Sequence, residues 1–160
     1  MSDQKKLAII ATKGSLDWAY PPFILASTAA ALGYETQIFF TFYGLQLLKK
    51  KLDLKVTPLG NPGMPMPMSM NKWFPILATT LPGMESMMTS MMKQKMKAKG
   101  VATVEELRDL CKEADVKFIA CQMTVDLFDL RSDEFIEGIE YGGAATFFEF
   151  AGEADITLFI

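Results

Sequence analysis

At 160 residues, half of them hydrophobic, the chain is long enough to bury one α/β core. A net charge of −3, with a single short basic cluster from Lys93 to Lys99, argues against nucleic acid as a partner. There is no histidine, which removes every mechanism built on an imidazole base and takes away the usual ligand of zinc and non-haem iron sites. Any chemistry must run on thiols, carboxylates, lysines and backbone amides.

The polar start Met1–Lys6 runs directly into a strand, so no signal peptide and a cytoplasmic location are expected. In that compartment Cys111 and Cys121 stay reduced, and no structural disulfide is expected. Leu7–Ala11 is a short apolar run that predicts a buried parallel strand, followed by the turn Thr12-Lys13-Gly14-Ser15. Trp18–Leu32 predicts a helix closed by Gly33, with Pro21 and Pro22 near its start. Tyr34–Thr41 predicts the second strand, and the three elements form a βαβ unit with a right-handed crossover. The loop Lys13-Gly14-Ser15 then lies at the carboxyl end of the first strand. It is either a helix-capping turn or a place where amides and an ammonium meet an anion; the Walker spacing is missing.

Leu45–Lys51 predicts a short helix and Leu54–Thr57 a weak third strand stopped by Pro58. An insert rich in methionine and proline follows, at about residues 60–100. Its stretch Gly60–Met70 cannot be a central strand or a helix interior. Met84, Met87, Met88 and Met91 then fall on one helical face, continued by Lys93, Lys95, Lys97 and Lys99 and stopped by Gly100. Alternate methionines suit Cu(I), a basic amphipathic helix suits a membrane surface, and a methionine stripe suits packing, a lid or subunit contact. No apolar run reaches the roughly 20 residues that span a bilayer.

Thr103-Val104-Glu105-Glu106 predicts a capping box that opens a helix to about Ala114, with Val104, Leu107, Leu110 and Cys111 on its inner face. Cys111 accordingly reads as a buried, inert thiol. Val116–Ala120 predicts the next strand, which ends in Cys121, and Gln122–Phe128 a short helix. Ser132-Asp133-Glu134 predicts the cap of another helix holding Phe135 and Ile136. Gly142-Gly143 opens a last helix, Ala144–Ala151, and Asp155–Ile160 is the final strand. About five strands alternate with about five helices in one domain, which predicts a mostly parallel sheet covered on both faces.

Ligands of such sheets gather at the carboxyl ends of the strands. That places Cys121 at the mouth of the sheet, beside amides that lower a thiol's pKa. Lys13 joins it if the first strand and the strand ending at Cys121 are neighbours, and Gln122 and Asp126 are close in sequence. The alternative is a packed small residue. There is no Cys-x-x-Cys motif, so a self-contained dithiol is excluded.

Several stretches in the same order resemble the DsrE/DsrF/DrsH-like sulfur-carrier family, in the branch of DsrE-like sulfurtransferases that also carries a peroxiredoxin label. They are Lys13-Gly14-Ser15-Leu16-Asp17 with Ala19-Tyr20-Pro21, Ile38–Gly44, the insert with Leu81-Pro82-Gly83-Met84, Ala120–Asp126, and Gly138–Ala145. The resemblance covers almost the whole chain, as a single DsrE-like domain over residues 1–160. It implies a flavodoxin-like three-layer α/β/α fold with about five strands, no metal or organic cofactor, and assembly into dimers, trimers or hexamers. It also implies that Cys121 carries sulfane sulfur as a persulfide and passes it on, with TusA-like or rhodanese-like proteins as partners. The alternatives are a thiol peroxidase or redox sensor using Cys121, and a non-catalytic oligomeric small-anion binder. The candidate residues are therefore Cys121, then Lys13, Gly14, Ser15, Gln122 and Asp126 as anion or thiolate support. Met84, Met87, Met88 and Met91 are candidates for a lid or subunit contact.

Overall fold

The computed structural model describes residues 4–57 and 81–160. They form two compact units, one of residues 4–14, 18–53 and 103–160, the other of residues 15–17, 54–57 and 81–102.

The first unit holds the five strands β1 (Lys6–Ala11), β2 (Glu35–Phe40), β3 (Lys117–Cys121), β4 (Glu140–Gly142) and β5 (Ile156–Phe159). All pair parallel, in the order β4-β3-β2-β1-β5. Because side chains alternate along a strand, the register sorts the core into two layers. On one face Phe40 and Phe118 meet Phe23 of α1 (Leu16–Ala31), with ring centroids 5.5 to 6.0 Å apart. The same layer includes α3 (Val104–Glu113), whose Cys111 Sγ donates to the Phe23 carbonyl at 3.3 Å. On the other face Ala8, Phe39, Ile119 and Cys121 cluster with Phe147 of α5 (Ala144–Ala151). The result is a flavodoxin-like three-layer α/β/α sandwich.

Several predicted elements form as expected. Gly33 closes α1 at φ 85°, the left-handed region where a side chain is strained. The capping box of α3 is complete: Thr103 N–H donates to Glu106 Oε2 at 2.7 Å and Glu106 N–H to Thr103 Oγ1 at 3.1 Å. Four elements differ. Helix α1 begins at Leu16, two residues before the predicted start, so Pro21 and Pro22 lie inside it. Phe42–Leu48 is a 3₁₀ segment instead of an α-helix from Leu45. Leu54–Thr57 makes no ladder, and the fifth strand is β4, three residues ending in glycine and too short to announce itself. Ser132–Glu134 is a single 3₁₀ turn; Phe135, predicted inside a helix, is extended and forms an antiparallel bridge with Lys49. On α3 the inward row is Val104, Arg108 and Cys111, while Leu110 is 49% exposed. Arg108 turns in because its Nη1 donates at 2.8 Å to the carbonyls of both Leu47 and Lys49.

In the second unit Leu16 N–H donates to the Lys55 carbonyl at 2.8 Å, and Val56 N–H to Thr89 Oγ1 at 3.0 Å. These bonds replace the strand predicted at Leu54–Thr57: one of its carbonyls accepts from a helix start and one of its amides donates to a hydroxyl. Helix α2 spans Met84–Ala98 and ends at Gly100, φ 69°. Met88 and Thr89 are buried and Met84, Met91, Met92 and Met96 half-buried, whereas Met87 is 45% exposed. The inward arc centres on Met88 and Met92, which at 100° per residue turns Met87 outward, so Met87 leaves the predicted stripe. The Pro–Met stretch from Met64 to Met70, on which the copper reading depended, lies outside the described residues. Among the described residues no helix is long and apolar enough to cross a membrane, and no group of His, Cys, Asp or Glu could hold a metal ion.

Candidate functional site

Cys121 is the last residue of β3 and the N-cap of α4 (Gln122–Leu127), with extended backbone at φ −66° and ψ 109°. Its side chain lies in the layer of Phe39, Ile119 and Phe147 and is 5% exposed. On one side β4 sets Gly142 opposite it. A Cβ on Gly142 would lie 2.8 Å from the Thr146 side chain, so glycine is what lets Thr146 fold over that strand end. On the other side β2 pairs Phe40 with Ala120. Carried one residue further, this register sets Thr41 opposite Cys121, at the roughly 4.8 Å spacing of neighbouring strands.

Thr124 completes the surroundings. It stands at N3 of α4, one turn after Cys121, and is fully buried. Its Oγ1 lies 3.2 Å from Thr41 Oγ1 and accepts the Phe42 N–H at 3.3 Å. Thr41 is the N-cap of the 3₁₀ segment but spends no side-chain bond on capping, which leaves its hydroxyl to the site. Burial pushes the Cys121 thiol up. Hydrogen bonding from the Thr124 hydroxyl and amide, the Thr41 hydroxyl and the Met123 amide pulls it down further, and the net pKa falls below its ordinary value. The Cys121 side chain makes no capping hydrogen bond to α4. Donors around a thiol lower its pKa because they favour the charged form. With six residues in α4, individual amides and hydroxyls matter more than any macrodipole.

The loop that carries Thr41 is held from three directions. A Cβ on Gly44 would overlap the Ala11 carbonyl, and one on Gly14 the Tyr43 carbonyl, so both glycines permit backbone-to-backbone contact. Arg108 grips the far end of the segment from α3. Leu48 accepts the Ile136 N–H at 2.9 Å. Within this clamp Phe42 adopts φ 48°, uncommon for a bulky residue, and its N–H reaches Thr124. Phe42 and Tyr43 on the 3₁₀ segment, and Met123, Leu127 and the C-cap Phe128 of α4, are exposed, with Tyr43 stacked on Phe128 at 5.8 Å.

The remaining candidates are engaged elsewhere. Strand β2 stands between β1 and β3, so the condition for Lys13 to join Cys121 is not met. The Lys13 ammonium lies 3.2 Å from the centroid of the Trp18 ring. Gly14 is a packing glycine against Tyr43. Ser15 belongs to the second unit, where its Oγ accepts the Thr57 hydroxyl at 3.0 Å. Asp126 is bound by Gln122 Nε2 at 2.7 Å in an exposed pair one helical turn apart. Cys111 is the opposite of Cys121: burial pushes its pKa to about 12, with only Ser27 hydrogen bonding opposing.

A family model described as the DsrE/DsrF/DrsH-like family matches residues 3–159. The chain belongs to this family. It is 79% identical, over 99% of both chains, to a sulfur carrier protein, DsrE2, of Allochromatium vinosum. It is also 33% identical, over the full length of both, to an uncharacterized protein, YrkE, of Bacillus subtilis. The crystal structure of the ychN protein from E. coli superposes with a TM-score of 0.55 over 98% of this chain and 100% of that one. At 10% identity that likeness speaks for the fold alone.

In this DsrE/DsrF/DrsH-like chain, the residues that residue-by-residue reading missed are Thr41 and Thr124. Thr124 had a signal: Cys121-Gln122-Met123-Thr124 has the N-cap to N3 spacing of a capping box, with sulfur at the cap. Thr41 had none, because only the pairing register of β2 and β3 brings it opposite Cys121.

Proposed function

We propose that the chain is a sulfur carrier that holds sulfane sulfur as a persulfide on Cys121 and hands it to a thiol of a partner protein. The observation that carries this reading is the 79% identity, end to end, with a sulfur carrier protein. The site supports it, because a thiolate is the form that attacks sulfur, and Cys121 alone of the two cysteines is surrounded by donors that favour it. Loading is an exchange, Cys121–S⁻ + R–S–SH → Cys121–S–SH + R–S⁻. The donor's S–S bond breaks, a new one forms at Cys121, and R–S⁻ leaves. Release is the same exchange with an acceptor thiolate. Neither step needs an oxidant or a dedicated base, which suits a chain without histidine. A low pKa serves both steps, since it keeps the nucleophile ionised at loading and makes Cys121 a good leaving group at release.

The partner is a sulfur-transfer protein, of the TusA-like or rhodanese-like kind that the family resemblance implies. Self-assembly into a homo-oligomer has a surface to draw on, since Phe148 on α5 and Phe159 on β5 are 68% and 75% exposed. A peroxidase cycle is less well served, because Cys111 is sealed under α1 and offers no resolving thiol.

The test is incubation with polysulfide or thiosulfate, followed by intact-mass measurement. Wild type gains one sulfur atom and Cys121→Ala gains none; an adduct that survives Cys121→Ala sinks the proposal.

A further inference from the structure

The proposed exchange needs something to hold the sulfur as an anion in a chain without imidazole and, among the described residues, without an ammonium beside it. Lys13 is occupied by Trp18, and Asp126 by Gln122. The other titratable groups on the elements around the strand end are Tyr43 on the 3₁₀ segment, Glu140 and Tyr141 on β4, and Glu149 on α5; Glu140, Tyr141 and Tyr43 are exposed. None of these supplies a positive charge. What faces the sulfur is the hydroxyls of Thr124 and Thr41, the first wholly buried, with the Thr124 and Met123 amides beside them.

Thr124 Oγ1 has a fixed number of bonds to make. It accepts the Phe42 N–H at 3.3 Å, which settles the direction of one lone pair. Its own proton has two places to go: the Thr41 oxygen 3.2 Å away, or the sulfur of the N-cap Cys121 one turn earlier. A buried hydroxyl does not leave its proton unused. While Cys121 is a thiol, the two threonines satisfy each other. Once it is a thiolate, the stronger acceptor is the anion.

We propose that Thr124 is a catalytic residue of the sulfur exchange, donating its hydroxyl proton in a hydrogen bond to Cys121 Sγ, with Thr41 as a second donor and the Phe42 amide as the group that aims Thr124. The proton stays on the oxygen. The hydroxyls swing from each other to the sulfur when Cys121 ionises, release it as the new S–S bond forms, and return to it when Cys121 departs as the leaving group. The pair thus does for this thiol what an imidazolium does elsewhere, by hydrogen bonding alone. The inference deepens the persulfide-carrier proposal and rests on it.

The test compares Thr124→Val, which removes the hydroxyl and keeps the branched shape, with Thr124→Ser, which keeps the hydroxyl; Thr41→Val is the independent second variant. The rate at which Cys121 is loaded by polysulfide is followed against pH, with loading mapped to the Cys121 peptide. In Thr124→Val the midpoint for ionisation rises. Each unit of rise costs about tenfold in thiolate below the midpoint and returns about threefold in nucleophilicity. Loading therefore slows about threefold for each unit near neutral pH, and becomes faster than wild type above both midpoints. Release to an acceptor thiol slows at every pH, because Cys121 has become a poorer leaving group. Thr124→Ser tracks wild type, and Thr41→Val shows the same crossing with a smaller amplitude. A variant that is merely damaged loses rate at all pH values without crossing.

Profiles of Thr124→Val and Thr41→Val that parallel wild type, or a Thr124→Ser as shifted as Thr124→Val, overturn the inference while leaving the carrier proposal intact. If wild type itself takes up no sulfur at Cys121, the carrier proposal falls, and this inference with it.

Discussion

Ten residues apart, the two cysteines sit on opposite faces of one sheet and meet opposite physics. Cys111 lies on α3 with its proton given to the Phe23 carbonyl, in surroundings that offer little to an anion. Cys121 ends β3 with two hydroxyls and two amides gathered around it. Both are more than nine-tenths buried, so burial alone does not separate them. The difference is the kind of neighbour. A carbonyl acceptor favours the thiol, donors favour the thiolate, and in a dry site each preference is amplified.

The largest expected effect is on reactivity. In native protein, iodoacetamide labels Cys121, while Cys111 reacts only after unfolding. The ratio of rates, read by peptide mapping, exceeds about a hundredfold; a ratio near one would erase the contrast. Next in size is the clamp that delivers the donors. Arg108→Ala leaves the buried Leu47 carbonyl and the part-buried Lys49 carbonyl without this donor. That costs about 3 kcal/mol in urea unfolding, and the loosened Thr41 loop slows sulfur loading as well. Gly44→Ala drives a Cβ into the Ala11 carbonyl and costs about 2 kcal/mol by the same assay.

The pH dependence of stability separates the two sites by sign. The pKa of Cys111 is raised on folding, from an ordinary 9.0 to about 12. Its contribution is therefore fully present below 9.0 and is lost as pH rises through that window, because the unfolded chain ionises first. The slope is about −1.4 kcal/mol per pH unit for the one proton, and it vanishes in Cys111→Ala. Cys121 runs the other way. Its lowered pKa contributes stability that is present above the ordinary thiol value and is lost as pH falls through the folded one. Denaturant midpoints of the two alanine variants against wild type, across neutral to alkaline pH, read both signs. Smallest is Cys111→Ala itself near neutral pH, costing about 1 kcal/mol of packing with sulfur loading unchanged.

Much of the first unit was legible because its signals are local. The apolar run of β1, the glycine after α1 and the Thr103–Glu106 box each specify an element within a few residues. What failed depends on partners distant in sequence. Leu54–Thr57 looks like a strand, but its amides go to Thr89 and Asp17 rather than to a ladder. The true fifth strand, β4, is three residues with no pattern of its own and exists because β3 presents a free edge. Arg108 reads as a surface residue until two carbonyls from the 3₁₀ segment are placed beneath it. The site divides in the same way. Cys121 was visible as a thiol ending a strand. Lys13 joins it only if β1 and β3 are neighbours, and β2 lies between them. Thr41 became visible only with the β2–β3 register.

The measurement that bears most directly on the central claim is a persulfide trap. The protein is loaded with polysulfide, blocked with an alkylating agent and digested, and both cysteine peptides are weighed. One extra sulfur atom on the Cys121 peptide, with Cys111 an unmodified thiol, is the predicted result. Sulfur on the Cys111 peptide, or on neither, would contradict the account.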